Sequence, residues 1–392
     1  MSINTLLAGP VLRRMQSERI TLWLATSRPV QWRLSLFPDK HDSQVHEIRG
    51  HCRELKVAEH YYIHLIDLPL NMPLPADTWV GYELSYKHGA DGEWINLTQE
   101  SPHLLYPGRS TLGFVIHSQV RSVLHGSCRK PHYARKEDSS AGDGLVRADQ
   151  HLLELAATPT EWPALLMMGG DQIYTDDVAG PMLVAIHRLL NELNSPAEPL
   201  PGTQLHSSHT LHREQPHYYT RDQLLPKTRA NKDIRTVLFT GVKKPVFTTD
   251  SARNHLISLS EVMAMYLLVW SPIPWRYTDM TIPPEVPTEF AERYEAQLEA
   301  MEEFVAELDC VHRLMAHIPV AMMFDDHDIT DDWNLSARWE ETAYGHPFSR
   351  RIIGNALLGY LLCQAWGNTP DACVTSLQTV AALLASGEDG QL

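Results

Sequence analysis

Up to about residue 115, the chain alternates short apolar runs with turn-forming stretches. Residues 20–24, 32–36 and 61–65 are rich in β-branched and aromatic side chains, and residues 38–40 and 89–92 are rich in Pro, Asp and Gly. Strands at a spacing of roughly 10–15 residues, with no helical periodicity between them, are typical of a small β-sandwich. The pattern therefore predicts an N-terminal β-sandwich domain over residues 1–115.

From residue 116 onward, the pattern changes to strands that alternate with helices, which is typical of an α/β fold with a central sheet. Apolar runs predict buried strands at 121–125, 164–168 and 319–324. Apolar residues three and four apart predict helices at 145–157, 181–193, 289–317, 350–366 and 369–385. Residues 116–392 are expected to form a second domain with an insertion at about 194–250. His206, His209 and His212 in that insertion indicate an exposed loop more readily than a metal-binding tract.

Composition and charge narrow the classes of protein that need to be considered. The 392 residues, 43% hydrophobic and 21% charged, suit a globular protein of two domains. A formal charge of −15 argues against broad electrostatic binding to nucleic acid or an anionic membrane. Five scattered cysteines without a CxxC pair, and an N-terminus without a signal peptide or an apolar span, predict a cytoplasmic protein.

Each of the three predicted strands in the second domain leads into side chains that bind metals. These segments are Ser127-Cys128, Gly170-Asp171-Gln172-Ile173-Tyr174 and Asp325-Asp326-His327-Asp328. In an open α/β sheet, ligands gather at the carboxyl ends of the strands. Thiolate, carboxylate, phenolate and imidazole groups that converge there would form a metal site.

The order of these motifs resembles the PhoD-like (alkaline phosphatase D) group of the calcineurin-like metallophosphatases. In that group Ser-Cys, GDQxY and DDH[DE] take the places of the superfamily's usual ligand motifs. The segments at 9–14, 354–356 and 364–368 also look like members of the group, so the resemblance covers most of the chain. It implies a calcineurin-like sheet-and-helix domain after the β-sandwich. It also implies hydrolysis of phosphate monoesters or diesters by a metal-activated hydroxide.

The resemblance and the chemistry of the side chains together suggest a role for each residue. Asp171 would bridge two metal ions, and Cys128 and Tyr174 would bind the more highly charged one. A phenolate favours Fe(III), with Ca²⁺ or another divalent cation as the second of two or more metals. Asp326 occupies the position of the family's metal-binding Asn, and Asn254 is a further candidate ligand. His327 would donate a proton to the leaving oxygen, which makes His327, Asp326 and Asp171 the expected catalytic residues.

Structural alternatives stay open for most of these residues. Cys128 could be a small buried hydrophobe, Tyr174 could simply pack, and Asp171 and Asp326 could be turn formers or helix N-caps. The acids at 176, 177, 331 and 332 suit caps or solvated positions better than ligand positions, although additional Ca²⁺ would suit them. Arg129 could bind a substrate phosphate, but it could equally belong to a solvated basic loop at 129–144.

One element of the family pattern is missing from the chain. PhoD-like proteins usually carry a Gly-Asp-x-His segment downstream of DDH[DE], and this sequence has none before Leu392. We therefore expect an incomplete metallophosphatase domain that a missing C-terminal segment or a partner chain would complete. The expected substrate is a phosphate ester or phosphodiester. The main competing interpretation is a non-catalytic binding or scaffolding protein, since motifs such as GxxxxGK[ST], GxSxG and HExxH are absent.

Overall fold

The fold combines β-sheets with helices, as expected for an α/β protein. A computed structural model of the chain describes residues 3–39, 42–132, 142–225, 229, 232, 237–239, 242–244, 246–247 and 252–386. None of the helices in this part of the chain is long and apolar enough to cross a membrane.

Two antiparallel sheets form in the region for which the sequence predicted a β-sandwich. Within the described residues, the first sheet has the order β1-β2-β6-β5, and the second has the order β4-β3-β7-β8 with β9 also paired to β7. The strands are β1 (Leu6–Gln16), β2 (Arg19–Thr26), β3 (Gln31–Asp39), β4 (Asp42–Glu47), β5 (Cys52–Ala58), β6 (Tyr61–Pro69), β7 (Trp79–Lys87), β8 (Ile95–Asn96) and β9 (Leu112–Val115). Residues 9–14, one of the segments that carry the family resemblance, lie within β1.

The first sheet is buried on both faces. Along β2, Leu22 and Leu24 pack in a cluster with the second sheet, whereas Trp23 packs in the cluster that contains the helices. The Trp23 indole nitrogen donates a hydrogen bond to the Leu362 carbonyl at 3.0 Å, and its ring meets Trp270 edge-on. One hydrophobic core therefore crosses the predicted boundary near residue 115, and the division into two domains stays a prediction.

A short parallel sheet lies at the centre of the remaining structure. Within the described residues its order is β10-β11-β16, from Leu124–Gly126, Leu166–Met168 and Val320–Met322. These strands are shorter than the sequence predicted. Their inner face joins the main core, but Met167 is 45% exposed, and Met323 just beyond β16 is 59% exposed. The expectation of a fully buried strand at 164–168 is therefore wrong for one of its faces.

The remaining strands pair in two small hairpins. In the residues that the structure describes, β12 (Pro199–Leu200) pairs with β13 (His206–Ser207), and β14 (Val237–Phe239) pairs with β15 (Val242–Lys244).

The predicted helices form at about the expected positions, but not all of them are continuous. In chain order they are α1 (Leu97–Glu100), α2 (Gly144–Glu154), α3 (Gly180–Glu192), α4 (Ser208–Arg213), α5 (Leu259–Trp270), α6 (Ala291–Ala306), α7 (Leu308–Met315), α8 (Ala337–Gly345), α9 (Pro347–Tyr360), α10 (Trp366–Asn368) and α11 (Val374–Ser386). The single helix expected at 289–317 is interrupted at Glu307. A π-helical segment, Leu361–Ala365, joins α9 to α10.

Helix α5 was not predicted, because an apolar surface on all sides leaves no amphipathic period to detect. All of its residues are buried. It begins with a capping box in which the Ser258 hydroxyl accepts from the Glu261 amide and the Glu261 carboxylate accepts from the Ser258 amide.

A buried ionic network ties the insertion to this helix. Arg221 donates hydrogen bonds to both Glu261 carboxylate oxygens at 2.7 and 3.1 Å, and His187 contacts the same carboxylate at 2.8 Å. The pKa of Glu261 lies well below its usual range: burial alone would raise it, but Arg221 and His187 stabilise the carboxylate. His212 is buried against Ser258, so the exposed-loop interpretation is wrong for this residue.

We predict that Arg221→Met destabilises the protein by about 3–5 kcal/mol at neutral pH, because it leaves the Glu261 charge buried without its cation. Urea unfolding would measure the change. Arg188→Met is the matched control: Arg188 pairs with Asp279 at the surface, and its loss should cost less than ~1 kcal/mol. An equal loss in both variants would contradict the assigned role of the network.

Candidate metal centre

The three strand ends bring a thiol and two carboxyl groups together. Cys128 lies two residues beyond β10, and Asp171 and Asp325 lie three residues beyond β11 and β16. One ligand atom from each of these residues lies within 4.8 Å of the others. The strand pairing continues into the loops, because the Gly169 amide donates to the Gly126 carbonyl and the Met323 amide donates to the Met168 carbonyl, both at 2.9 Å. The parallel register therefore sets the spacing of the three side chains.

Asp171 lies at the buried side of this group. Its side chain is almost fully enclosed, and its Oδ1 atom has no hydrogen-bond partner among the described residues. Burial raises the pKa of Asp171; Cys128 and His327 oppose the rise, whereas Asp325 and Asp326 add to it. An unpaired buried oxygen among like charges is a costly arrangement that a bound cation would relieve.

Gly170 allows the loop after β11 to approach the loop after β10. A Cβ atom at this position would lie 2.6 Å from the Ser127 hydroxyl oxygen and 2.9 Å from the Cys128 sulfur. Any larger residue would therefore displace Ser127 and Cys128.

Tyr174 lies beside the thiol and the carboxylate. Burial raises the pKa of its phenol far above the usual range, and the neighbouring Asp171 and Cys128 raise it further. Its ring stacks on His327, with the ring centroids 5.0 Å apart. The phenol therefore stays protonated unless a strong cation displaces its proton.

His327 is paired with a buried carboxylate that sequence analysis treated as a cap or a solvated acid. The His327 Nδ1 atom lies 3.0 and 3.1 Å from the two oxygens of Asp176, which is fully enclosed. This hydrogen bond raises the pKa of His327 to about 9. Burial raises the pKa of Asp176 to about 6, although His327 opposes the rise. His327 is therefore a cation near neutral pH.

Two expected ligands have other contacts in the structure. The Asp326 carboxylate accepts hydrogen bonds from the His327 and Asp332 amides at 3.1 and 2.9 Å, while Asp325 takes the position beside Cys128 and Asp171. The Asn254 carboxamide accepts from the Tyr219 amide at 2.6 Å and donates to the Val178 carbonyl at 3.1 Å. The Asn254 side chain therefore links two backbone segments by hydrogen bonds.

The guanidinium of Arg129 is not presented to the site. It lies in a buried ion pair with Asp143 at 2.8 Å and donates to the Val269 carbonyl, and the expected role of Arg129 in substrate binding stays a prediction. Lys130 is more accessible: it pairs with Asp177, and its Nζ atom lies 5.6 Å from the centre of the Tyr174 ring. Two further basic residues of the loop at 129–144, Arg135 and Lys136, lie outside the described residues.

Asp328 and Gln364 support the loop that carries Asp171. Asp328 is buried and accepts hydrogen bonds from the Gln172 and Ile173 amides at 2.9 and 2.6 Å, and from the Gln364 side chain at 3.3 Å. Burial raises the pKa of Asp328 well above its usual range. Of the three aspartates in DDHD, the sequence predicted Asp326 as the ligand. In the structure Asp328 is buried and holds the Asp171 loop, whereas Asp325 is exposed and lies beside Cys128 and Asp171.

A second group with metal-binding side chains contains His187, His212 and Glu261. Its geometry alone would suit a cation. The Arg221 guanidinium already occupies that role, because it lies 2.7 Å from Glu261 and 3.0 Å from His187.

Comparison with known proteins adds little to this description. No family model matches the chain, and no curated protein does. Among solved structures, the chain is similar to one described as "Structure of PhoD", with 11% sequence identity and a TM-score of 0.34. The match covers 92% of this chain and 46% of the other, so this chain spans less than half the length of that one. At this TM-score the likeness establishes neither fold nor function.

We predict that in metal-free protein Asp176→Asn lowers the pKa of His327 from about 9 towards the ordinary value of ~6.5. A neutral amide no longer stabilises the imidazolium. The raised pKa of His327 contributes to the stability of the folded state fully below pH ~6.5, and this contribution is lost as the pH rises through about 9. An NMR titration of the His327 ring measures the shift. Asp177→Asn removes a neighbouring carboxylate that pairs with Lys130 and should change the His327 pKa far less. A His327 pKa that is unchanged in Asp176→Asn would refute the pairing.

Proposed function

We propose that this protein is a metal-dependent phosphoester hydrolase of the PhoD-like, calcineurin-like type. The observation that carries the proposal is the convergence of Cys128, Asp171 and Asp325 at the carboxyl ends of three parallel strands, next to a cationic histidine. The order of the Ser-Cys, GDQIY and DDHD motifs supports the same assignment.

The residues of the site fit a metal centre. The unpaired Asp171 oxygen and the mutual electrostatic repulsion of the carboxylates favour a bound cation. Cys128, Asp171 and Asp325 would hold it, with Tyr174 and Asp326 close by. A mixed sulfur, phenol and carboxylate set suits Fe(III) together with Ca²⁺ or another divalent ion. When bound, such ions supply Lewis-acid activation of water and of the phosphoryl oxygens.

The protein's own residues would contribute orientation and proton transfer. Asp176 keeps the His327 ring protonated and fixes its position through Nδ1. The other ring nitrogen is then available to donate a proton to the leaving alcohol oxygen. The stacked Tyr174 ring restricts rotation of the imidazole, and Asp328 holds the Asp171 loop in place.

We predict that Asp171→Asn abolishes hydrolysis and most of the metal binding, because a neutral amide is a poor bridging ligand. Elemental analysis of purified protein and turnover of p-nitrophenyl and bis-p-nitrophenyl phosphate would measure both effects. Asp91→Asn, an exposed change in the sheet region, is the control and should retain metal and activity. Stoichiometric metal in the wild type without turnover of either ester would favour the non-catalytic alternative.

We predict that His327→Ala keeps its metal content but loses roughly 10²–10⁴ in kcat, as expected for loss of a general acid. The same elemental analysis and assays apply. Equal loss of metal in His327→Ala and Asp171→Asn would show that His327 is a ligand or a structural residue instead.

A further inference from the structure

A cleft of about 780 Å³ opens beside the candidate metal centre. It runs from Cys128 and Tyr174 between α2 and α6. Because the Tyr174 ring stacks on His327, the cleft begins next to the proposed proton donor. Its volume is in the usual range for small-molecule sites, about 300–1,000 Å³. Pro131 and Gly142 at its rim flank residues 133–141, which lie outside the described part of the chain.

The walls of the cleft are mainly apolar. Leu145 and Ala148 of α2, Leu166 and Met168 of β11, and Phe304 of α6 line it. All five side chains also belong to the main hydrophobic core, so the cleft is an indentation of that core. An uncharged hydrocarbon group bound there would displace water from apolar surface, which is favourable.

The charged residues of the cleft balance one another. The cations Arg129, Lys130 and Arg147 accompany the anions Asp143, Glu303 and Glu307. Arg129 is paired with Asp143, and Lys130 is paired with Asp177. A groove for a polyanion such as a nucleic acid would carry an excess of positive charge. The cleft therefore favours a neutral apolar group over a chain of further phosphates.

We infer that the preferred substrate is a phosphate ester of an apolar alcohol, whose hydrocarbon group packs in the cleft between α2 and α6. This inference rests on the proposed function. In the reaction the oxygen of water bonds to phosphorus and water releases a proton, while the bond from phosphorus to the alcohol oxygen breaks and that oxygen takes a proton from His327. The proton released by water then restores the protonated His327. The cleft selects the alcohol and leaves the chemistry of the phosphoryl group unchanged.

The test compares n-hexyl phosphate with methyl phosphate on the metal-loaded, full-length protein. Both release primary alcohols of similar acidity, so the ratio of their kcat/KM values reports contacts with the hydrocarbon group. Each fully buried methylene is worth about fourfold at most, and burial of three or four gives a ratio on the order of 10². A ratio near one would overturn the inference.

Two leucines of α2 provide a matched pair of variants. Leu145 lines the cleft, whereas Leu153 lies on the same helix, is 38% exposed and is not among the cleft residues. Leu145→Ser should lower the hexyl-to-methyl ratio by about tenfold, because it places a hydroxyl on the apolar wall. Leu153→Ser should leave the ratio unchanged, and an equal effect of both changes would count against the cleft.

Binding of phosphonates can be measured without turnover. It uses only the wild-type protein, so it does not depend on whether the Leu145→Ser variant folds well. Calorimetry on the metal-loaded wild type should show tighter binding of n-hexylphosphonate than of methylphosphonate by a similar factor. Equal affinities, with both esters hydrolysed equally well, would overturn the cleft inference alone. No binding of either phosphonate and no hydrolysis of either ester would overturn the proposed function as well.

Discussion

Several carboxyl groups are held close together at the ends of three parallel strands, and much of the surrounding structure compensates for this. Like charges repel, and burial of a carboxylate is costly unless it is paired or hydrogen-bonded. Asp328 is stabilised by backbone amides and Asp176 by His327. Asp171 has the least compensation, since one of its oxygens has no partner among the described residues. The Asp171 carboxylate, whose charge is least compensated, lies next to the Cys128 thiol and the Asp325 carboxylate.

The basic residue next to the site, Arg129, is also paired with a carboxylate. Arg129 directly follows the thiol, yet it turns inward to pair with Asp143 and places its guanidinium over the Phe304 ring. Its backbone amide donates to the Asp171 carbonyl at 2.9 Å. Arg129 therefore stabilises the loop geometry, and Asp143 balances its charge.

A shared hydrophobic core connects this site to the rest of the chain. The first antiparallel sheet packs one face on the second sheet and the other on the helices, so it helps to bury α5. Buried polar anchors join the same regions: Arg13 of β1 donates to the Gln364 carbonyl at 2.8 Å and to the Asn368 side chain at 2.6 Å. Gln364 in turn contacts Asp328, which links the N-terminal sheet to the loop that carries Asp171.

The sequence alone determined which segments form strands and helices where the apolar pattern is periodic, as in β2, β6 and α3. It also identified the three strand ends whose side chains come together, because residue types that can bind metals follow each predicted strand. Tertiary structure decided the rest. Whether Asp325 or Asp326 faces Cys128 depends on the backbone direction after β16, and the partner of His327, Asp176, lies about 150 residues away in sequence. Helix α5 is buried on all sides, so its sequence has no amphipathic period that would predict a helix. The contacts of Arg129 with Asp143 and the Val269 carbonyl likewise depend on how separate segments pack together, which no local sequence pattern shows.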